Sequence, residues 1–338
     1  MIHKLQRLAF LAALLFPWHA ASAQPLPLES IGRTSVGGRP ESVIGDLDYL
    51  YASNLGNGDT FAKDGNGYIS KLSYDGELIS ETFLSLPEAL DGPTGMAFQG
   101  DRLYVADLDE VIGFDLAGQA DPARIDLRDF GVSFLNDLVA VSDRHLVVSG
   151  TNVKKLFLVD TVAASAEPLE LDFELNHPNG LAYDDRSGLL YVAANLVHTI
   201  GSNASNGEVL KLDLNVANAA ASFVSKASEA GLFLDGISLF GDDQLIYSDW
   251  VSGSRPAGVL GRLNLDDLSP ADPTELNVSG FADFHWQENR GILAAPNLIG
   301  GEVELFQYPI PEPTTTCLAC FGVAMLLVER RLHGLIRF

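Results

Sequence analysis

The sequence predicts an all-β chain folded as a six-bladed β-propeller, and three observations predict it. First, a short segment opens at Pro40, Pro93, Leu135, Pro178, Leu234 and Ala282, reading PESV, PTGM, LNDL, PNGL, LDGI and ADFH. Second, each is followed about ten residues later by a partner: LYASN, LYVAD, LVVSG, LYVAAN, IYSDW and ILAAPN. These partners carry the aromatic and β-branched residues of strands, with turn-formers such as the DDRSG of 184–188 before them. Third, the pair recurs about every 42 to 56 residues, the length of a four-stranded propeller blade.

Taken in order, the chain opens with Lys4 and Arg7, an apolar run over 8–16, and Ala-Ser-Ala at 21–23. That order is a secretory signal with a small-residue cleavage site. The run is too short to span a bilayer as a helix. The mature chain is expected to begin near Gln24, outside the cytoplasm. Residues 28–36 then form a lone strand with no hairpin partner.

Blade one contains KDGNGYIS at 63–70, close in wording to a helix–loop–helix calcium loop. In that register the first ligand falls on Ala62 and the bidentate glutamate on Ser73, so both carboxylates are missing. The segment is better read as a turn leading into a strand, with a second turn at Asp75-Gly76. Residues 216–231 have partly helical composition but are expected to form the outer strand of blade four and its crossing loop. After ILAAPN the last blade has only one more strand, 301–308. It lacks its outermost strand, which 28–36 can supply. That closes the ring and leaves no unpaired edge.

The expected propeller domain spans 24–309. Both cysteines, Cys317 and Cys320, lie beyond it in an apolar segment with no further ligands nearby, so their spacing is read neither as a redox motif nor as a zinc site. Formal net charge is −24. Without Lys4, Arg7, Arg330, Arg331, Arg337 and Glu329, 16 basic and 44 acidic residues remain, a net −28. That charge argues against nucleic acid as a partner and concentrates cations locally. There is no nucleophile elbow, no phosphate-binding loop and no dinucleotide glycine pattern.

One column of the repeat bears chemistry. The second residue of each first strand is Glu41, Thr94, Asn136, Asn179, Asp235 or Asp283. First strands line the channel of a propeller, so these six positions converge on its axis. All six bear oxygen, three are carboxylates and none is basic. Carboxylates this close repel. A divalent cation resolves the conflict, and an oxygen-only donor set points to a hard ion such as calcium. A plainer reading is that short polar residues satisfy turn backbones at strand starts.

The set PES, LND, PNG and LDG, in this order, resembles the senescence marker protein/gluconolactonase (regucalcin-like) family of six-bladed propellers. The resemblance implies one divalent metal held by Glu41, Asn179 and Asp235. It also implies that Asn136 contacts water or substrate and that Asp235 serves as base. It implies a hydrolase of lactones or related esters, with a lactone-like small molecule as substrate. Here Arg39-Pro40-Glu41-Ser42 departs from the family's Gly-Glu-Ser-Pro wording, and its sugar-recognising Arg and Glu have no counterpart. His177, two residues before Asn179, is a second candidate base, and His285 shares strand parity with Asp283; each is also a plausible packed histidine. A non-catalytic surface or matrix propeller with structural calcium, binding a small molecule or polysaccharide, is the alternative.

Residues 310–338 hold a Pro-Glu-Pro triplet (311–313), an apolar run over 317–328 and the pair Arg330-Arg331. This order resembles the bacterial PEP-CTERM sorting tail, departing from it in Glu329 and in the residues after Arg331. The resemblance implies transient anchoring in the inner membrane as precursor. It implies removal of the tail by an exosortase and delivery to the cell surface or extracellular matrix.

Overall fold

The computed structural model describes residues 24–84, 90–118, 120–197, 206–250 and 257–309. The signal and the sorting tail lie outside the described residues. Within them six separate sheets are formed, and the only helices are single 3-10 turns at Arg128–Phe130 and Val216–Asn218. The fold is the six-bladed β-propeller that the repeat predicts.

Each blade winds outward from its first strand. Blade one runs Pro40–Gly45, Tyr49–Asn54, Tyr68–Ser73, Leu78–Leu84, all antiparallel. The turn at Asp75-Gly76 forms as expected: Gly76 N–H donates to the Ser73 carbonyl, with Gly76 at φ +81°, where glycine carries no Cβ penalty. Blades two, three and five repeat the pattern from Pro93–Gln99, Leu135–Ala140 and Leu234–Phe240. Blade four differs. Its outer strand is the 12-residue Ala220–Gly231, and a two-residue strand, Glu170–Leu171, pairs parallel to it. The helical composition of 216–231 yields to pairing with Gly207–Asn215, because tertiary pairing outweighs weak propensity.

Blade six consists of His285–Gln287, Ile292–Asn297, Glu302–Gln307 and, as its outermost strand, Glu29–Ser35. The N-terminal strand therefore closes the ring as expected, antiparallel to Glu302–Gln307. Ring closure is reinforced at Glu304, 1% exposed. Its carboxylate accepts from Ser30 Oγ at 2.7 Å and pairs with Arg33 Nε at 3.0 Å.

The apolar core is divided among the blade interfaces. One cluster joins blades one and two through Tyr51, Ile69, Met96 and Leu103. The sixth joins blade six to blade one through Ile292, Val303, Leu305, Val43 and Leu50, with Val36 from the N-terminal segment. Alternate residues of each strand face opposite neighbours, so every blade is a wedge held on both sides.

The first strands are irregular in one way that matters. In blades one to five the register with the second strand shifts between Pro40 and Ser42, Pro93 and Met96, Leu135 and Leu138, Pro178 and Leu181, and Leu234 and Ile237. Bulges of this kind re-aim side chains. Each encloses one residue of the oxygen-bearing column. A bulge frees backbone N–H groups, which need another partner. Second-strand serines supply it: Ser53, Ser149 and Ser248 Oγ accept from the N–H of Ser42, Asp137 and Gly236.

Candidate functional site

The bulges bring five of the six column residues to one cavity of about 190 Å³. Glu41, Thr94, Asn136, Asn179 and Asp235 line it, all buried. The sixth, Asp283, faces a separate hollow with Asp137, Leu181, Ile237 and His285. It is held there by Ser42 Oγ, which donates to its carboxylate at 2.7 Å, and by the N–H of Phe284. Thr94 is tied into the backbone: its hydroxyl lies 3.1 Å from the Leu135 carbonyl and 3.3 Å from that of Ala106.

The other side chains are oriented by what surrounds them. Asn195 Oδ1 accepts from the N–H of Leu234 at 2.8 Å, and its Nδ2 donates to the Leu234 carbonyl. This clamps the start of blade five and with it Asp235. Asn179 Nδ2 donates to the same carbonyl at 3.1 Å. A carbonyl can only accept, so the amide is forced to turn its oxygen the other way. On the residues lining the cavity, three oxygens are buried with no hydrogen-bond partner among the described residues: Glu41 Oε2, Asn179 Oδ1 and Asp235 Oδ1. These are the three residues that the family resemblance implies as ligands. An unsatisfied buried acceptor costs about 1–3 kcal/mol, and a charged one more.

The electrostatics sharpen that cost. Burial, with Asp235, Asp283 and Asp137 nearby, pushes the Glu41 carboxyl well above its usual range. Burial and Asp283 do the same to Asp235. Asp283 is pushed up to about 6, burial being the cause, against the hydrogen bonds from Ser42 and Phe284. Asp137 is raised by burial and by Asp283. Among the described residues no cluster of three His, Cys, Asp or Glu side chains is arranged as metal ligands. The candidate donor set consists of two carboxylates and an amide.

Sequence reasoning missed Asp137. It occupies the position after the column residue, where blades two, four and five have Gly95, Gly180 and Gly236. Those glycines have a steric purpose. A Cβ on Gly95 would overlap the Asp137 carboxylate, and one on Gly236 would overlap that of Asp283. An aspartate in a glycine column was the available signal. The cavity walls were missed as well. Arg39, Phe134 and Phe233 stand two residues before Glu41, Asn136 and Asp235, just ahead of the first strands. Leu55, Trp250 and Leu298 each directly follow a second strand.

Both histidines lie elsewhere. His177 is in the same column as Phe134 and Phe233, but it is not among the described residues lining the cavity; its Nδ1 lies 3.2 Å from the Thr151 carbonyl oxygen. His285 packs beside Tyr74, whose hydroxyl is 3.3 Å from its Nε2. Burial lowers its pKa to about 4, against the opposing pull of Asp46.

No protein-family model and no curated protein matches the sequence. Solved structures do match the fold. A gluconolactonase from Xanthomonas campestris has a TM-score of 0.58 at 13% identity, over 86% of this chain and 93% of that one. The β-propeller domain of Cps50 (Swd1) from Myceliophteria thermophila gives 0.53 at 10% identity, over 84% and 100%. A streptogramin B lyase gives 0.51 at 13% identity, over 83% and 97%. At these identities the likeness is one of fold.

Proposed function

We propose that this chain is an exported, metal-dependent hydrolase of lactones or related esters. Glu41, Asn179 and Asp235 are the residues that would hold one divalent cation, calcium by the hardness of their oxygens. The observation that carries this reading is the set of three unpartnered buried oxygens around one cavity. The gluconolactonase among the fold neighbours supports it.

When bound, the cation supplies positive charge to stabilise the oxyanion that develops on the substrate carbonyl. The chain's own residues do the rest. Asn136 positions the substrate or the attacking water from the cavity wall. Asp235 accepts a proton from that water as its oxygen bonds to the carbonyl carbon. It returns the proton to the ester oxygen as the acyl C–O bond breaks. A carboxylate beside a cation is a weak base, so His177 is the reserve candidate, acting only through movement from its contact with the Thr151 carbonyl. The domain boundaries proposed are 1–23 for the signal, 24–309 for the propeller and 310–338 for the sorting tail, which an exosortase removes at the membrane.

Metal analysis of the purified protein, followed by a lactone and ester panel, tests the reading. One equivalent of calcium is expected, lost in Asp235→Asn, with turnover down at least about 10². Asn136→Ala should lower turnover and spare the metal. Stoichiometric metal with no hydrolysis across the panel would leave a structural-calcium propeller instead. Absence of bound metal would overturn the centre itself.

A further inference from the structure

We infer that the substrate of this site is apolar: a lactone or ester whose carbonyl end reaches the axial oxygens and whose remainder is alkyl or aryl, not a polyhydroxylated sugar. This rests on the hydrolase reading above and concerns which member of that substrate class fits.

The walls carry the inference. Around the oxygens stand Leu55, Phe61, Phe134, Phe233, Trp250 and Leu298. Phe61 and Phe134 meet edge to face with centroids 5.1 Å apart, and Phe233 and Trp250 pack at 6.3 Å. The two pairs come from different blades, so the cavity has aromatic surface on more than one side. Its volume of about 190 Å³ is below the roughly 300–1,000 Å³ of pockets for drug-sized ligands. The occupant is therefore small, and much of its surface must meet carbon.

Among the described lining residues most polar groups are engaged, and the Asn136 amide is the one assigned above to the substrate or the attacking water. The Arg39 guanidinium donates to the Gly58 carbonyl at 3.2 Å and to Thr60 Oγ1 at 3.1 Å, both in the loop beside it. The Thr94 hydroxyl is committed to backbone carbonyls, and Asn179 Nδ2 to that of Leu234. The indole N–H of Trp250 is buried with no acceptor among the described residues, a single donor. On the described residues lining the cavity, the buried acceptors without a partner are those at the axial centre. A sugar lactone would bury several hydroxyls against rings and leucines, each at a cost of about 1–3 kcal/mol without a partner. An alkyl or aryl group would bury favourably there.

Lactams test this without chemistry, because they mimic the cyclic ester and are not turned over. Binding to the calcium-supplemented protein is measured by calorimetry for δ-lactams with 6-alkyl chains from ethyl to hexyl, and for the polyhydroxylated gluconolactam. Affinity should rise up to about fourfold per added methylene until the cavity is full, the factor equal to about 0.8 kcal/mol. The best alkyl lactam should bind at least about tenfold more tightly than gluconolactam. Phe134→Ser should flatten the alkyl series without changing calcium stoichiometry, and Phe134→Leu should keep most of it. If Phe134→Ser does not fold, the alkyl series on the unaltered protein still decides. A flat series, no binding by any lactam, or gluconolactam binding as tightly as the best alkyl lactam overturns the inference. The two readings fail separately. Calcium binding with preferred hydrolysis of sugar lactones would refute the apolar substrate and keep the hydrolase. A steep alkyl series on a protein without calcium or turnover would do the reverse.

Discussion

Removing residues 24–36, so that the chain begins at Gly37, should unfold the domain or bring it to the edge of unfolding. The magnitude follows from three losses. Leu26 and Val36 are 7% and 0% exposed, and two buried aliphatic side chains contribute about 1.5–3 kcal/mol each. Glu304, 1% exposed, loses both Ser30 and Arg33, and stranding a buried charge costs about 3–5 kcal/mol. The ladder between Glu29–Ser35 and Glu302–Gln307 is lost as well. The first two losses alone come to about 6–11 kcal/mol, against a total domain stability of about 5–15 kcal/mol. At about 2 °C per kcal/mol for a chain of this size, the melting temperature should fall by more than about 12 °C. Thermal unfolding followed by circular dichroism measures this, and a synthetic 24–36 peptide added in trans should recover part of it. A shortened chain that melts within about 3 °C of the intact one would refute the closure argument.

Four further outcomes are expected. Calcium should raise the melting temperature more at pH 7 than at pH 5, since burial raises the carboxyls of Glu41, Asp235 and Asp137 and pushes Asp283 up to about 6. Without the ion, their contribution to stability is greatest below about pH 4 and is lost as pH rises through their folded values; paired scans with calcium and with chelator check this. His285 titrates the other way: its folded pKa of about 4 lies below the ordinary 6.5, so its stability is present above 6.5 and lost as pH falls towards 4. His285→Gln should remove an acid-side loss on the order of 3 kcal/mol, read from denaturant titrations across that range. Gly180→Ala would press a Cβ into the Asp235 carbonyl oxygen and the Gly236 backbone. It should cost about 1–3 kcal/mol and weaken calcium binding, whereas Gly32→Ala, with open space around it, should do little. In a host with the matching exosortase, secreted protein should lack everything beyond the Pro-Glu-Pro triplet by mass spectrometry, and Glu312→Ala should leave precursor in the membrane.

The sequence by itself determined the ring and its closure. Six copies of a two-strand phrase specify six blades, because the period of two along each strand and the turn chemistry are local properties. A sixth blade short of one strand and an orphan strand at 28–36 specify who completes it. The same repeat put Glu41, Thr94, Asn136, Asn179, Asp235 and Asp283 into one column. Only the tertiary structure decided how that column divides. The register shift at each bulge, not sequence spacing, sets where a side chain points. Five members meet at one cavity, while Ser42 and the Phe284 N–H hold Asp283 in another. Which end of the Asn179 amide faces the cavity depends on the Leu234 carbonyl, 55 residues away. Asp137 joins the axial carboxylates because Gly95, on the neighbouring blade, leaves room for it. The walls of that cavity come from columns flanking the oxygens, at strand ends and in loops. Their convergence depends on blade packing across the axis, which no local pattern encodes.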